Sequence, residues 1–278
     1  MLGPLDLLLP PLVLLTSLLT LPFTLFTLPY TLLTQPKPST PSWPALKHAW
    51  FQHFWFWFGP ASKPLFAPRV APLLARSHGL VLDVGPGSGV WMPELARARD
   101  KITKIVGVEP NARFHAQLRE AAGRAGLAGV YEPVQAFAQE LESVGVQRGS
   151  VDTVVTVHVL CSVGAGAEGV AKALYESLKP GGQWLVYEHV ASRYGAVRAW
   201  QGECCRLVWG GWNVADCQGE AVNNVPWGVL LDNCHLLRNT GDVIKNAGEW
   251  ETVEIDYDSR EGYFESLPHV VGRLVKKL

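Results

Sequence analysis

The stretch VLDVGPGSGVWMPELARA, Val81 to Ala98, decides the fold. An apolar run enters it, a helical pattern leaves it, and Gly85, Gly87 and Gly89 stand at alternate positions between the two. A glycine turn from strand to helix brings bare backbone, and the positive end of a helix, close to a ligand. The dinucleotide fingerprint G-x-G-x-x-G asks for its third glycine where Val90 stands, so the spacing here, G-x-G-x-G, departs from it. About twenty residues further on, Glu109 closes the next apolar run in GVEPN. A carboxylate there accepts hydrogen bonds from both hydroxyls of a ribose, and on its own it does not say which nucleoside carries that ribose.

The rhythm continues outward from the turn. ITKIVGVE reads as a strand and NARFHAQLREAAGRAG as a helix with Asn111 as its N-cap. GVYEPVQ and VDTVVTVHVL read as strands, GVAKALYESL as a helix and GQWLVYEHV as a strand. Such alternation predicts an α/β fold with a parallel sheet flanked by helices. After the helical pattern RNTGDVIKNAG, the tail offers two strands, EWETVEIDY and HVVGRLVKK, which predict a terminal hairpin at the sheet edge.

The beginning of the chain differs in kind. Leu7 to Thr34 holds no charged residue, and about 20 apolar residues suffice to cross a bilayer core. A cleaved signal would have a basic start and a small-residue cleavage site; here the start carries Asp6, and no A-x-A follows. Residues 1–34 therefore read as a retained membrane anchor, with a disordered apolar tail as the alternative. Pro10, Pro11, Pro22 and Pro29 make the anchor either one kinked span or a monotopic hairpin. The basic residues Lys37, Lys47, Lys63 and Arg69 follow it, which predicts a cytosolic body. Residues 35–48 read as a proline-rich linker and 49–278 as the catalytic domain, opening with an aromatic helix over 49–58. Trp43, Trp50, Trp55 and Trp57 crowd this region, which suits either a membrane–water interface or packing over the domain.

The formal net charge of −1 gives no electrostatic footprint for nucleic acid. The five cysteines are an odd set without C-x-x-C and predict reduced thiols. Cys204 and Cys205 have no histidine at ligand spacing, so no metal is expected; Cys161 reads as a small core residue.

The segments VLDVGPGSG, GVEPN, GSVDTVVTVHVLCSV and LKPGGQWLVYEHV, in this order, resemble the class I S-adenosylmethionine-dependent methyltransferases. The nearest likeness is to the membrane-associated thiol methyltransferases of the endoplasmic reticulum and lipid droplets, in their fungal form, and VLCSV and EHV are its most specific points. The resemblance covers Trp50 to Leu278 apart from about ten residues, 215–224, which read as an insertion holding Cys217. It implies a Rossmann-like sheet, mostly parallel with a reversed seventh strand, and S-adenosylmethionine as cofactor. It places Asp83, Gly85, Gly87 and Gly89 beside the methionine part, Glu109 on the ribose, and Phe137 and Ala138 at the adenine. Many relatives carry an aspartate in place of Phe137. His158 would lie beside cofactor and acceptor.

The implied partners are a small-molecule acceptor and, through the N-terminus, a membrane of the endoplasmic reticulum or lipid droplet, with the domain cytosolic. A non-catalytic membrane or lipid-droplet protein that retains the fold is the alternative. A thiol near pKa 8.5 is mostly protonated at neutral pH, so a base would help, and His158 and His189 are the candidates. Glu188 and His189 are strand neighbours and face opposite ways, so one of them is structural. Tyr194 to Trp212, with Trp200, Trp209 and Trp212, would shape an apolar acceptor site.

Overall fold

A computed structural model describes residues 3–33, 42–163, 166–203 and 224–278. Its strands are β1 (Gly79–Val84), β2 (Ile102–Val108), β3 (Tyr131–Val134), β4 (Val151–Val157), β5 (Leu178–His189), β6 (Trp250–Tyr257) and β7 (His269–Lys276). All seven form one sheet in the order β3-β2-β1-β4-β5-β7-β6. Strands β1 to β5 are parallel, and β7 runs antiparallel to both β5 and β6. The terminal hairpin thus lies at the edge, with its second strand turned inward against β5 and its first outermost.

The sheet is buried on both faces because its central strands are apolar at successive positions. Leu82, Val154 and Trp184 point into one core; their neighbours Val81, Val155 and Leu185 point into the other. This is the period-two alternation of a strand. The LKPGG segment forms the irregular start of β5. Val151 pairs with Leu178 but Thr153 pairs with Gln183, and the extra residues bulge out at Gly181, whose φ is +74°. After the glycine turn, the helix is one α-helical turn, α3 (Met92–Leu95), continued as 3-10 helix through Lys101. Further helices are α4 (His115–Arg124) and α5 (Ala167–Ser177).

Two long helices precede the sheet, α1 (Leu9–Leu33) and α2 (Trp43–Leu74). The sequence reading places a linker over 35–48, but residues 43–48 are already α2. Ser42 is its N-cap and accepts a hydrogen bond from the Ala45 N–H, with a proline in the first turn. Residues 35–41 lie outside the described residues, as do Cys204, Cys205, Trp209, Trp212 and nearly all of 215–224. The aromatic helix expected over 49–58 is only the middle of α2. It runs through Pro60, Pro64, Pro68 and Pro72, which stand four apart. Each proline removes one backbone donor, and at this spacing the losses fall along one side while the other sides keep their bonds. Lys63 to Glu94 at 2.8 Å and Arg69 to Asp258 at 2.9 Å tie the helix to the domain.

The helix α1 lies on the domain rather than apart from it. The Trp50 indole N–H donates to Ser17 O at 2.8 Å, Ser17 Oγ donates to Leu230 O at 3.0 Å, and Ser266 Oγ donates to Asp6 O at 2.6 Å. Its inner residue Val13 joins Phe54, Trp227, Leu231 and Leu236 in a third apolar cluster. Its outer residues Leu12, Leu15, Leu19, Phe23, Phe26 and Tyr30 are exposed and follow one another at helical spacing. By length and composition this segment is long and apolar enough to cross a membrane.

Candidate active site

The glycine turn is shaped by its own neighbours. Gly85, Gly87 and Gly89 have φ of +59°, +56° and +78°, a region that side chains rarely adopt. A Cβ at Gly89 would stand 2.8 Å from the Ala121 Cβ of α4, and one at Gly87 would stand 2.9 Å from the Trp55 indole nitrogen of α2. The first is the close packing of helix on strand that this turn requires. The second was invisible in the sequence: Trp55 sits directly on the turn.

Glu109 joins the turn from the end of β2. Its carboxylate accepts the Gly87 N–H at 3.0 Å and the Asn111 N–H at 2.9 Å. Each oxygen keeps a lone pair for a further donor, such as a hydroxyl. Asp83, on β1, accepts the Tyr131 hydroxyl at 3.1 Å. That hydroxyl reaches across β2 only because Gly107 has no side chain; a Cβ there would lie 2.1 Å from it. Burial pushes both carboxyls, Asp83 and Glu109, up to about 7, against the lowering effect of their hydrogen bonds.

The cleft at the turn is lined by residues including Trp55, Asp83, Gly85, Pro86, Gly89 and Trp91. Its electrostatics discriminate between nucleotides. A pyrophosphate would bring more negative charge near the buried acids Asp83 and Glu109, whereas a cationic ligand favours their charged forms. The residues present therefore fit a positively charged nucleoside with a free ribose better than a dinucleotide.

Gly87 and Glu109 are not part of this lining, and neither are the other residues expected at the site. Phe137 is exposed, and its N–H donates to the Glu140 carboxylate at 3.2 Å, while Ala138 packs at the margin of the main core. His158 follows β4 with φ +59°, a conformation costing a non-glycine residue about 1–2 kcal/mol. Its N–H donates to Tyr187 O at 2.9 Å. The ring packs among Phe66, Tyr187 and His269, and its Nε2 has no hydrogen-bond partner. Burial, with His269 and His189, pushes this imidazole well below the ordinary histidine range, so it is neutral at pH 7.

Glu188 and His189 part company at the end of β5. The buried Glu188 carboxylate accepts the Val159 N–H at 3.0 Å and the Leu160 N–H at 3.1 Å, which fixes the loop leaving β4. The buried His189 finds no nitrogen or oxygen partner at either ring nitrogen and lies beside Cys161 and Cys234. Spacing gave no sign of this group, because its members come from three separate segments. Tyr131 and Trp55 were missed as well. The only signals for them were an aromatic on a strand next to a strand glycine, and an aromatic run ahead of the turn.

Comparison with known proteins identifies a methyltransferase domain. A family model described as a methyltransferase domain matches residues 61–227. The thiol S-methyltransferase TMT1B of Homo sapiens is 26% identical over 248 residues, covering 84% of this chain and 89% of that protein. Its counterpart in Rattus norvegicus is 26% identical over 62% of each chain, so the match spans less than two thirds of that relative. Among solved structures, an O-methyltransferase family protein from Burkholderia thailandensis superposes with a TM-score of 0.58 at 14% identity. That superposition covers 95% of this chain and 71% of the other. At that identity the likeness speaks for the fold alone.

Proposed function

Since this chain belongs to the methyltransferase-domain family and is an S-adenosylmethionine-dependent methyltransferase, we propose that it methylates a small apolar thiol at a membrane surface. One observation carries this reading. The buried side of α1 packs in the same apolar cluster as Cys234, so the apolar helix lies over the end of the sheet where β4 and β5 stop. An acceptor arriving from lipid would meet the domain there. The relatives named as thiol S-methyltransferases support sulfur as the methylated atom.

When bound, S-adenosylmethionine supplies a methyl group already activated on its sulfonium. The protein's part is orientation and the exclusion of water. In this reading Asp83 and the glycine turn hold the methionine end, Glu109 takes the ribose hydroxyls, and the Phe137–Ala138 segment faces the adenine. His158 starts neutral with a free Nε2 and takes the acceptor's proton. Its depressed pKa makes this transfer uphill, so the proton does not rest there.

The test uses the full chain purified in detergent, with the cofactor labelled at its methyl group. Hexane-1-thiol should become labelled, while hexan-1-ol and the water-soluble thiol glutathione should lag far behind. Equal labelling of all three would end the proposal.

The membrane part is a separate expectation. With its inner face on the domain, α1 presents Leu12, Leu15, Leu19, Phe23, Phe26 and Tyr30, flanked by Leu18 and Leu25, to a bilayer, an arrangement that suits monotopic attachment. Exposed Trp43, Phe56, Trp57 and Leu65 of α2 extend the apolar surface. The full chain should stay in the membrane pellet in carbonate. The variant Leu15→Glu/Leu19→Glu/Phe26→Glu should be released, since each charge opposes burial by about 2.5–3.5 kcal/mol at full depth and less near the interface. Retention of the triple variant would show that this stripe is not the lipid-facing side.

A further inference from the structure

We propose that Cys161, Cys234 and His189 form a binding site for a zinc ion at the acceptor end of the sheet. The inference goes beyond the proposed function and does not depend on the identity of the acceptor.

The three residues are held together by backbone rather than by chance contact of their side chains. Cys161 lies in the loop after β4, pinned at its start by Glu188. His189 is the last residue of β5, and its carbonyl accepts the Thr240 hydroxyl at 3.2 Å. Cys234 follows the helix Asn224–Leu230, and the next residue, His235, donates its N–H to Cys161 O at 2.8 Å. The two sulfurs and the nearer ring nitrogen all lie within 4.8 Å of one another. Tetrahedral zinc, with bonds of about 2.3 Å to sulfur and 2.0–2.1 Å to nitrogen, sets those separations at about 3.6–3.8 Å. Closing the difference needs side-chain adjustments of about 1 Å, with no change of backbone.

The histidine supplies the independent sign. His189 is 5% exposed, and its ring nitrogens find no nitrogen or oxygen partner, only the weakly bonding Cys234 thiol beside them. Neutral imidazole carries one donor and one acceptor, and burying both without a strong partner is costly. A buried pair of thiols alone would be an ordinary apolar filling. Two thiols converging on a buried imidazole with a lone pair to offer make a ligand set, and its softness selects zinc over magnesium or calcium. The charges also balance, since two thiolates neutralise a divalent ion and the imidazole stays neutral. Nearby, Glu188 and Arg238 offset each other, the guanidinium donating to the carbonyls of Leu160 and Val163. Three protein ligands leave a fourth position for water or for the sulfur of an acceptor.

The test is made on the reduced full chain in detergent, stripped with a chelator and titrated with cobalt(II), then with zinc. One equivalent of cobalt should bind with the strong visible bands of tetrahedral coordination and a sulfur-to-cobalt charge-transfer band, and zinc should displace it. Cys161→Ser and Cys234→Ser should each weaken the charge-transfer band. Together with His189→Ala, they should lower zinc affinity by more than the roughly 10–100-fold typical of losing an outer-shell partner. The variant Cys204→Ser/Cys205→Ser/Cys217→Ser should still bind one equivalent. Circular dichroism checks that each variant is folded, and if Cys161→Ser is not, Cys234→Ser alone decides. Octahedral cobalt only, binding that vanishes in the triple variant, or a Cys161–Cys234 disulfide in a protein that takes up no metal once reduced would each overturn the site. No readout involves methyl transfer, so failure of the acceptor proposal leaves this result intact.

Discussion

Replacing Glu188 with alanine is expected to lower the stability of the domain by about 3–5 kcal/mol. The carboxylate is fully buried and accepts two backbone N–H groups, from Val159 and Leu160. Each buried donor left without an acceptor costs about 1–3 kcal/mol, and the cavity adds to that. In a chain of this size the loss corresponds to a fall in melting temperature of roughly 10 °C. Glu188→Gln keeps one acceptor oxygen and should recover about half of it. Thermal unfolding followed by circular dichroism measures both. A shift of less than about 1 kcal/mol for the alanine variant would mean that the loop after β4 is held by something other than Glu188.

Glu109→Ala should weaken binding of S-adenosylmethionine by about 1.5–3 kcal/mol, the range for hydrogen bonds to a charged group. That is roughly a tenfold to 150-fold rise in the dissociation constant. The substitution removes the proposed ribose acceptor and also frees the Gly87 N–H, so the turn loses its tie to β2. S-adenosylhomocysteine, which carries the same ribose, should lose affinity in parallel. Calorimetric titration of the folded variant reads both ligands, and unchanged affinity would remove Glu109 from the cofactor site. Gly87→Val is a poorer probe. A side chain there meets a φ of +56° and the Trp55 indole before any ligand is present.

The fold was legible because its signals are local. Glycines between a strand and a helix, and β-branched runs alternating with helical patterns, are written within windows of ten to twenty residues. The length of α2 was not legible, because Pro60, Pro64, Pro68 and Pro72 each read as a stop; only their common spacing lets the helix continue. The docking of α1 was hidden for a different reason. Ser17 and Asp6 find their partners in Leu230 and Ser266, and no local pattern announces a contact across most of the chain. The meeting of Cys161, His189 and Cys234 is of the same kind.

The bond between Ser266 and Asp6 also sets a clock. The two residues are 260 positions apart, and the ribosome adds about 5–20 residues per second, so the first helix is made roughly 13–50 s before its last partner exists. For most of that interval Val13 has Phe54 of α2 beside it but lacks Trp227, Leu231 and Leu236, so much of the helix surface that is covered in the finished fold stays bare. During synthesis the nascent segment needs a lipid surface or a chaperone, whichever way the finished enzyme later sits. Cutting it off afterwards is no milder, because Phe54, Trp227 and Leu231 would then be bare. A shortened protein should therefore clump before it can be assayed.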